Sequence, residues 1–223
     1  MNRTDPLSGA TYEVHIPAGS AALEGNLVVP DRAQGVVLFA HGSGSSRHSP
    51  RNRQVARALN GAALATLLVD LLTHEEEVID QRTRHLRFDI DLLARRLVGA
   101  IDWLRADSVS RALPIGLFGA STGAGAALVA AAERPEAVKA VVSRGGRPDL
   151  AGTTLARVEA PTLLIVGGND IPVIGMNREA MAQMHAETRL EIIPGASHLF
   201  EEPGTLEAVA RLAADWFTRH LSQ

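Results

Sequence analysis

Gly119-Ala120-Ser121-Thr122-Gly123 sets a serine between two glycines, each two positions away. A nucleophile on a sharp strand-to-helix turn needs that spacing, because the flanking elements come too close there for a side chain. Such a turn lifts the Ser121 hydroxyl above a sheet edge and aims the next backbone N–H, that of Thr122, at a developing oxyanion. With 12 serines and 20 glycines in 223 residues, chance supplies about 0.1 such pentapeptides. The flanks strengthen the reading: residues 113–118 form a plausible buried strand and residues 124–128 the start of a small-residue helix.

A serine hydroxyl attacks a carbonyl only when a base takes its proton and a carboxylate orients that base. Where the nucleophile sits on such a strand-to-helix elbow, the partners are expected in the order acid, then histidine, each after a later strand. Residues 161–166 run into Gly167-Gly168-Asn169-Asp170, and residues 189–193 run into Pro194-Gly195-Ala196-Ser197-His198. Ser121, Asp170 and His198 are therefore the candidate nucleophile, acid and base. Asp149, Glu201 and Glu202 compete with Asp170. The loop His41-Gly42-Ser43-Gly44-Ser45-Ser46 offers a second oxyanion donor, assigned to the backbone N–H of Ser43, while His41 is expected to fix the loop by hydrogen bonds. Arg144 is a candidate cation for a substrate carboxylate. Within the acidic run Glu75-Glu76-Glu77, Glu76 is a candidate substrate contact. No two histidines or carboxylates stand at convincing metal-ligand spacing, and the chemistry requires no cofactor.

The elements that must position these groups alternate. Residues 11–16 and 23–30 read as an antiparallel strand pair at a sheet edge. Gly35–Ala40 is a continuous apolar run, as expected of a strand buried on both faces, and 64–72, 114–118, 138–143, 161–166 and 189–193 follow as further strands. Helices are expected over 83–107, 123–134, 178–185 and 205–221. In the first of these Leu86, Ile90, Leu93, Leu97, Ile101 and Leu104 recur at spacings of three or four. The pattern predicts an α/β fold with a mostly parallel sheet of about eight strands, covered by helices on both faces. One domain spanning residues 1–223 is expected. Only 17 residues, 144–160, separate two strands where a lid could be inserted, so none is expected and the site should be open.

Composition narrows the function. The chain carries 22 Lys+Arg against 25 Asp+Glu, a net charge of −3, so no nucleic-acid footprint is present. It has no Cys, which excludes a disulfide scaffold and a thiol nucleophile. No apolar run approaches the ~18 residues of a spanning helix, and Met1-Asn2-Arg3-Thr4-Asp5-Pro6 lacks the apolar core of a secretion signal. A soluble, cytoplasmic protein with no membrane partner is expected. Gly119 to Gly125 also fits the G-x-x-x-G-x-G loop of short-chain dehydrogenases. That reading needs a Tyr-x-x-x-Lys pair, whereas Tyr12 and Lys139 are the only tyrosine and lysine. A phosphate-binding loop fails because no Lys-Ser/Thr follows the glycines.

The chain resembles the α/β hydrolases, and among them the small lidless branch around dienelactone hydrolase. The resemblance rests on His41-Gly42-Ser43-Gly44, Gly119–Gly123, Gly167–Asp170 and Ser197-His198. It is also similar to bacterial hydrolases sometimes fused to phosphoribosyltransferases, through residues 41–52, Asp70-Leu71-Leu72-Thr73 and Ser143-Arg144-Gly145-Gly146, with no transferase part expected here. Dienelactone hydrolase uses a cysteine nucleophile where this chain has Ser121. The resemblance implies an α/β-hydrolase fold without a lid and hydrolysis of a small-molecule ester. A lactone or thioester hydrolase, a perhydrolase and a silent binding module of the same fold remain alternatives, and the oligomeric state is left open.

Overall fold

The computed structural model describes residues 9–222; the segment Met1 to Pro6, on which the absence of a secretion signal was argued, lies outside them. Strands β1 (Gly9–Ala18), β2 (Ala21–Pro30), β3 (Gly35–Ala40), β4 (Leu64–Val69), β5 (Ile115–Ala120), β6 (Val138–Arg144), β7 (Thr162–Gly167) and β8 (Thr188–Ile193) form one sheet in the order β1-β2-β4-β3-β5-β6-β7-β8. β1 and β2 pair antiparallel, β2 meets β4 antiparallel, and every later pairing is parallel. This is the mixed sheet the sequence predicts. Strands β3, β4, β5 and β7 are buried along their whole length, which is why they read as unbroken apolar runs.

Alternation along each strand feeds two cores. Val36, Leu38, Leu117 and Val141 pack with α3 (Ile90–Ala106) and α4 (Thr122–Glu133) on one face. Val37, Phe39, Phe118 and Val142 pack with α1 (Pro50–Gly61) and α6 (Thr205–Leu221) on the other. α2 (His74–Thr83) follows β4, and α5 (Ile171–Met181) follows β7. Residues 144–160 hold a 3-10 segment, Pro148–Arg157, packed against α4 and α5. No lid covers the sheet edge among the described residues. Nor is any described helix long and apolar enough to cross a membrane.

The helix expected over residues 83–107 is broken. Arg84 turns left-handed at φ 56° and ends α2; a 3-10 turn, Leu86–Phe88, follows, and Asp89 caps α3 through Leu92 N–H at 2.9 Å. Leu86 keeps the apolar rhythm but belongs to the turn. The helix expected over 178–185 begins earlier, at Ile171, directly after Asp170. Two further helices, α1 and α2, stand where the apolar pattern predicts none. β4 stops at Val69, short of the 64–72 run.

Candidate active site

Ser121 joins β5 to α4 as the N-cap of the helix, with φ 50° and ψ −123°, a conformation that strains an L residue. The surroundings hold it there. Ser121 N–H donates to Arg144 O at 3.2 Å, while Ser121 O accepts from Ala124 N–H at 3.1 Å and Arg147 N–H at 3.0 Å. A Cβ at Gly119 would strike Ala124 Cα, and one at Gly123 would strike the carbonyl oxygens of Ala40 and His41. Both glycines therefore let α4 start against the ends of β3 and β5, as the spacing requires.

The acid and base loops are tied to one another. Asn169 N–H donates to Ala196 O at 2.9 Å and its side-chain amide to Gly195 O at 2.8 Å, while Gly168 N–H donates to Ile193 O at 2.8 Å. These bonds bring Asp170 Oδ2 within 2.6 Å of His198 Nδ1, with the carboxylate 14% exposed and the imidazole 39% exposed. The His198 ring edge lies over Gly145, whose added Cβ would be 3.6 Å from His198 Cε1, and Gly145 adjoins the Arg144 carbonyl that binds Ser121 N–H. Ser121 and the Asp170–His198 pair thus share one end of the sheet. No hydrogen bond joins the Ser121 hydroxyl to His198 among the described residues.

The competing acids are engaged elsewhere. Asp149 pairs with Arg147 at 2.7 Å, Glu201 with Arg51 at 3.2 Å, and Glu202 accepts Ser197 N–H at 3.0 Å.

Opposite the elbow, the β3–α1 loop passes so close that a Cβ on Gly42 would be 3.1 Å from Ser121 Cβ. His41 anchors this loop. Its Nε2 accepts Leu71 N–H at 3.1 Å and its Nδ1 lies 2.9 Å from Gly42 O, roles that fix the proton on Nδ1. Burial pushes the His41 pKa down, which keeps the ring neutral for these bonds. Ser43 lies in this loop, and its N–H does not stand free: it donates to the side-chain oxygen of Thr122 at 3.0 Å.

Glu76 has both oxygens occupied. One accepts Thr73 N–H at 2.9 Å, completing a capping box with Thr73, and the other meets Arg96 at 2.6 Å. The structure uses Glu76 to start α2 and hold buried Arg96, and does not bring it to Ser121.

Arg144 is 8% exposed, and its guanidinium makes no hydrogen bond or ion pair among the described residues. Nε and Nη1 are fully enclosed, leaving Nη2 as the one nitrogen open to solvent. Strand alternation puts the side chain on the face of Ala140 and Val142, under α1 and α6. Burial, helped by the charge of Arg51, pushes its pKa down to about 10, so it remains a cation at neutral pH. Ile171 and Leu199, next to Asp170 and His198 in the chain, are 68% and 40% exposed and give this edge apolar surface. A cavity of about 650 Å³ bounded by Ser43, Ser46, Arg51, Asp80 and Arg87 adjoins the β3–α1 loop, and none of Ser121, Asp170 and His198 lines it.

The pattern of the dienelactone hydrolase family matches residues 23–222. The solved structure of a dienelactone hydrolase from Anabaena variabilis is 65% identical, with a TM-score of 0.94 over 96% of this chain and 99% of its own. Two Mycobacterium tuberculosis proteins, from strains CDC 1551 and H37Rv and named as proposed phosphoribosyl transferases, are 59% identical over 209 residues. The match covers 94% of this chain and 46% of theirs, so the chain spans about half the length of the curated relatives it matches. Est1E from Butyrivibrio proteoclasticus is 16% identical with a TM-score of 0.77, over 95% of this chain and 99% of its own, and shares the fold.

Proposed function

The chain belongs to the dienelactone hydrolase family, and on that premise we propose a serine hydrolase that cleaves small carboxylic esters through an acyl-enzyme on Ser121. The observation that carries the proposal is the Asp170–His198 pair, at 2.6 Å, beside a strained serine elbow. In this reading Ser121 Oγ attacks the ester carbonyl while His198 Nε2 takes its proton, and Asp170 accepts Nδ1–H and stabilises the imidazolium. His198 then protonates the departing alcohol. It next activates a water that breaks the acyl–serine bond and returns the proton to Ser121. The Ser–His hydrogen bond forms with substrate in place. The phosphoribosyl transfer named for the Mycobacterium proteins is not carried over, because more than half of those chains lies outside the match.

The missing Ser121–His198 bond favours one second reading, a silent binding module of the same fold. A p-nitrophenyl phosphonate separates the two. The hydrolase should release p-nitrophenolate stoichiometrically and gain the phosphonyl mass on Ser121, whereas a module leaves both readings at background.

Arg144 supports a substrate with a negative group beside the ester. A buried, unpaired guanidinium costs stability, and one retained at the elbow has an anion as its natural partner. Replacing it with methionine should raise the melting temperature, by the equivalent of about 1–4 kcal/mol. The same change should raise KM for a dicarboxylic half-ester ~10- to 100-fold, the weight of a charged hydrogen bond, and spare neutral esters. An equal change of KM for both ester classes would remove the anion-binding role.

A further inference from the structure

The oxyanion site raises a question of proton count. Ser43 has one N–H, and it is already spent on Thr122 Oγ1 at 3.0 Å. An N–H shared between that oxygen and a substrate oxygen would serve both weakly. Thr122 Oγ1, by contrast, accepts one bond and keeps its own proton, which it donates to nothing among the described residues. The residue is 4% exposed and its side chain is β-branched, so its rotamer is held by packing. Thr122 is also the first residue of α4, so its N–H has no partner within the helix. One residue thus carries two unspent donors immediately after the nucleophile.

We propose that the second donor to the oxyanion is the Thr122 hydroxyl, with Ser43 N–H behind it as its support. This rests on the serine hydrolase reading above and revises the donor assignment within it. The developing oxygen would receive Thr122 N–H and Thr122 Oγ1–H, while Ser43 N–H donates into the same hydroxyl. Accepting that bond polarises the O–H and strengthens it as a donor. The hydroxyl proton is shared in a hydrogen bond and never transferred. Ser43 is then a positioning residue, through its backbone alone, and Thr122 a catalytic one. Gly42, without a side chain, lets the loop approach Ser121 closely enough for the Ser43 N–H to reach the hydroxyl.

Thr122→Val tests this with little change of shape. If the hydroxyl is the donor, kcat for p-nitrophenyl butyrate falls about 10²- to 10³-fold, the usual loss for one oxyanion donor, while KM holds. Affinity for a boronic acid, which presents a tetrahedral oxygen, falls with kcat/KM, whereas affinity for the product butyrate does not change. Thr122→Ser restores most of the rate. If Ser43 N–H were the direct donor, Thr122→Val would free it, and kcat would stay level or rise; that result overturns the proposal. Thr122→Ala gives the same readout should the valine variant fold poorly. Failure of the parent reading looks different, because phosphonate labelling of the unmodified protein would then already be absent.

Discussion

Ser121→Ala should lower kcat for p-nitrophenyl acetate by about 10⁵- to 10⁶-fold, the loss seen when a serine nucleophile is removed from an intact triad. The size follows from the role. Without Oγ no acyl-enzyme forms, and only binding and oxyanion donors remain to assist water. A paired variant separates this from damage to the fold. Ser121 sits at φ 50°, which alanine tolerates no better than serine but glycine adopts freely. Ser121→Gly should therefore be as inactive as the alanine variant and more stable by about 1 kcal/mol. Initial rates and thermal melts of the three proteins measure both effects. An alanine variant within tenfold of the unmodified rate would end the acyl-enzyme reading.

That strain connects the elbow to its neighbours. Three backbone bonds and two glycine-dependent close approaches hold Ser121 in its unfavourable conformation. Directly beside it Arg144, whose carbonyl accepts Ser121 N–H, remains charged and unpaired within the α1/α6 face. Both features lower stability at one end of the sheet, where the surrounding core is otherwise close-packed and apolar. Local costs concentrated around a would-be nucleophile are what a preorganised site requires.

Strands were legible because burial on both faces leaves β3 and β5 without polar letters and β7 with Thr162 alone. The elbow and the Asp170 position were legible because each follows such a run, whereas the His198 position follows β8, a strand that is partly exposed and carries Arg189 and Glu191. Helices facing solvent were harder. α1 carries Arg51, Arg53 and Arg57, and only Val55, Ala56 and Leu59 are buried apolar residues on it, too few to set a rhythm. Ser49 followed by Pro50 was its start signal. α2 has almost no apolar face, yet Thr73-His74-Glu75-Glu76 is a capping-box pattern, and it went unread behind the acidic run. Glu76 consequently reads as a substrate contact in the sequence, while its carboxylate accepts Thr73 N–H in that capping box and pairs with Arg96. The break at Arg84 could not be seen, since an arginine in left-handed conformation leaves no compositional trace. The Ser43–Thr122 bond joins residues 79 apart and appears only once β3 and β5 lie side by side.

Asp170→Asn should leave the fold intact and reduce kcat by about 10⁴-fold, because in the proposed mechanism the carboxylate's task is to set a tautomer. Asp170 Oδ2 accepts the proton of His198 Nδ1 at 2.6 Å, which leaves Nε2 unprotonated and able to take a proton from Ser121. An asparagine amide presents N–H as readily as oxygen. Where N–H faces Nδ1, the ring's own proton moves to Nε2, and the base is lost although every atom is near its former place. Where oxygen faces it, the tautomer survives but the imidazolium formed during attack loses its anionic neighbour. Asp149→Asn is the matched control: its carboxylate is committed to Arg147, so kcat should change less than threefold. Phosphonate labelling rates should follow the same order, because phosphonylation also needs an activated Ser121. Should Asp149→Asn cost the larger factor, the acid of the triad would be Asp149, and the close contact between Asp170 and His198 would be a structural pair only.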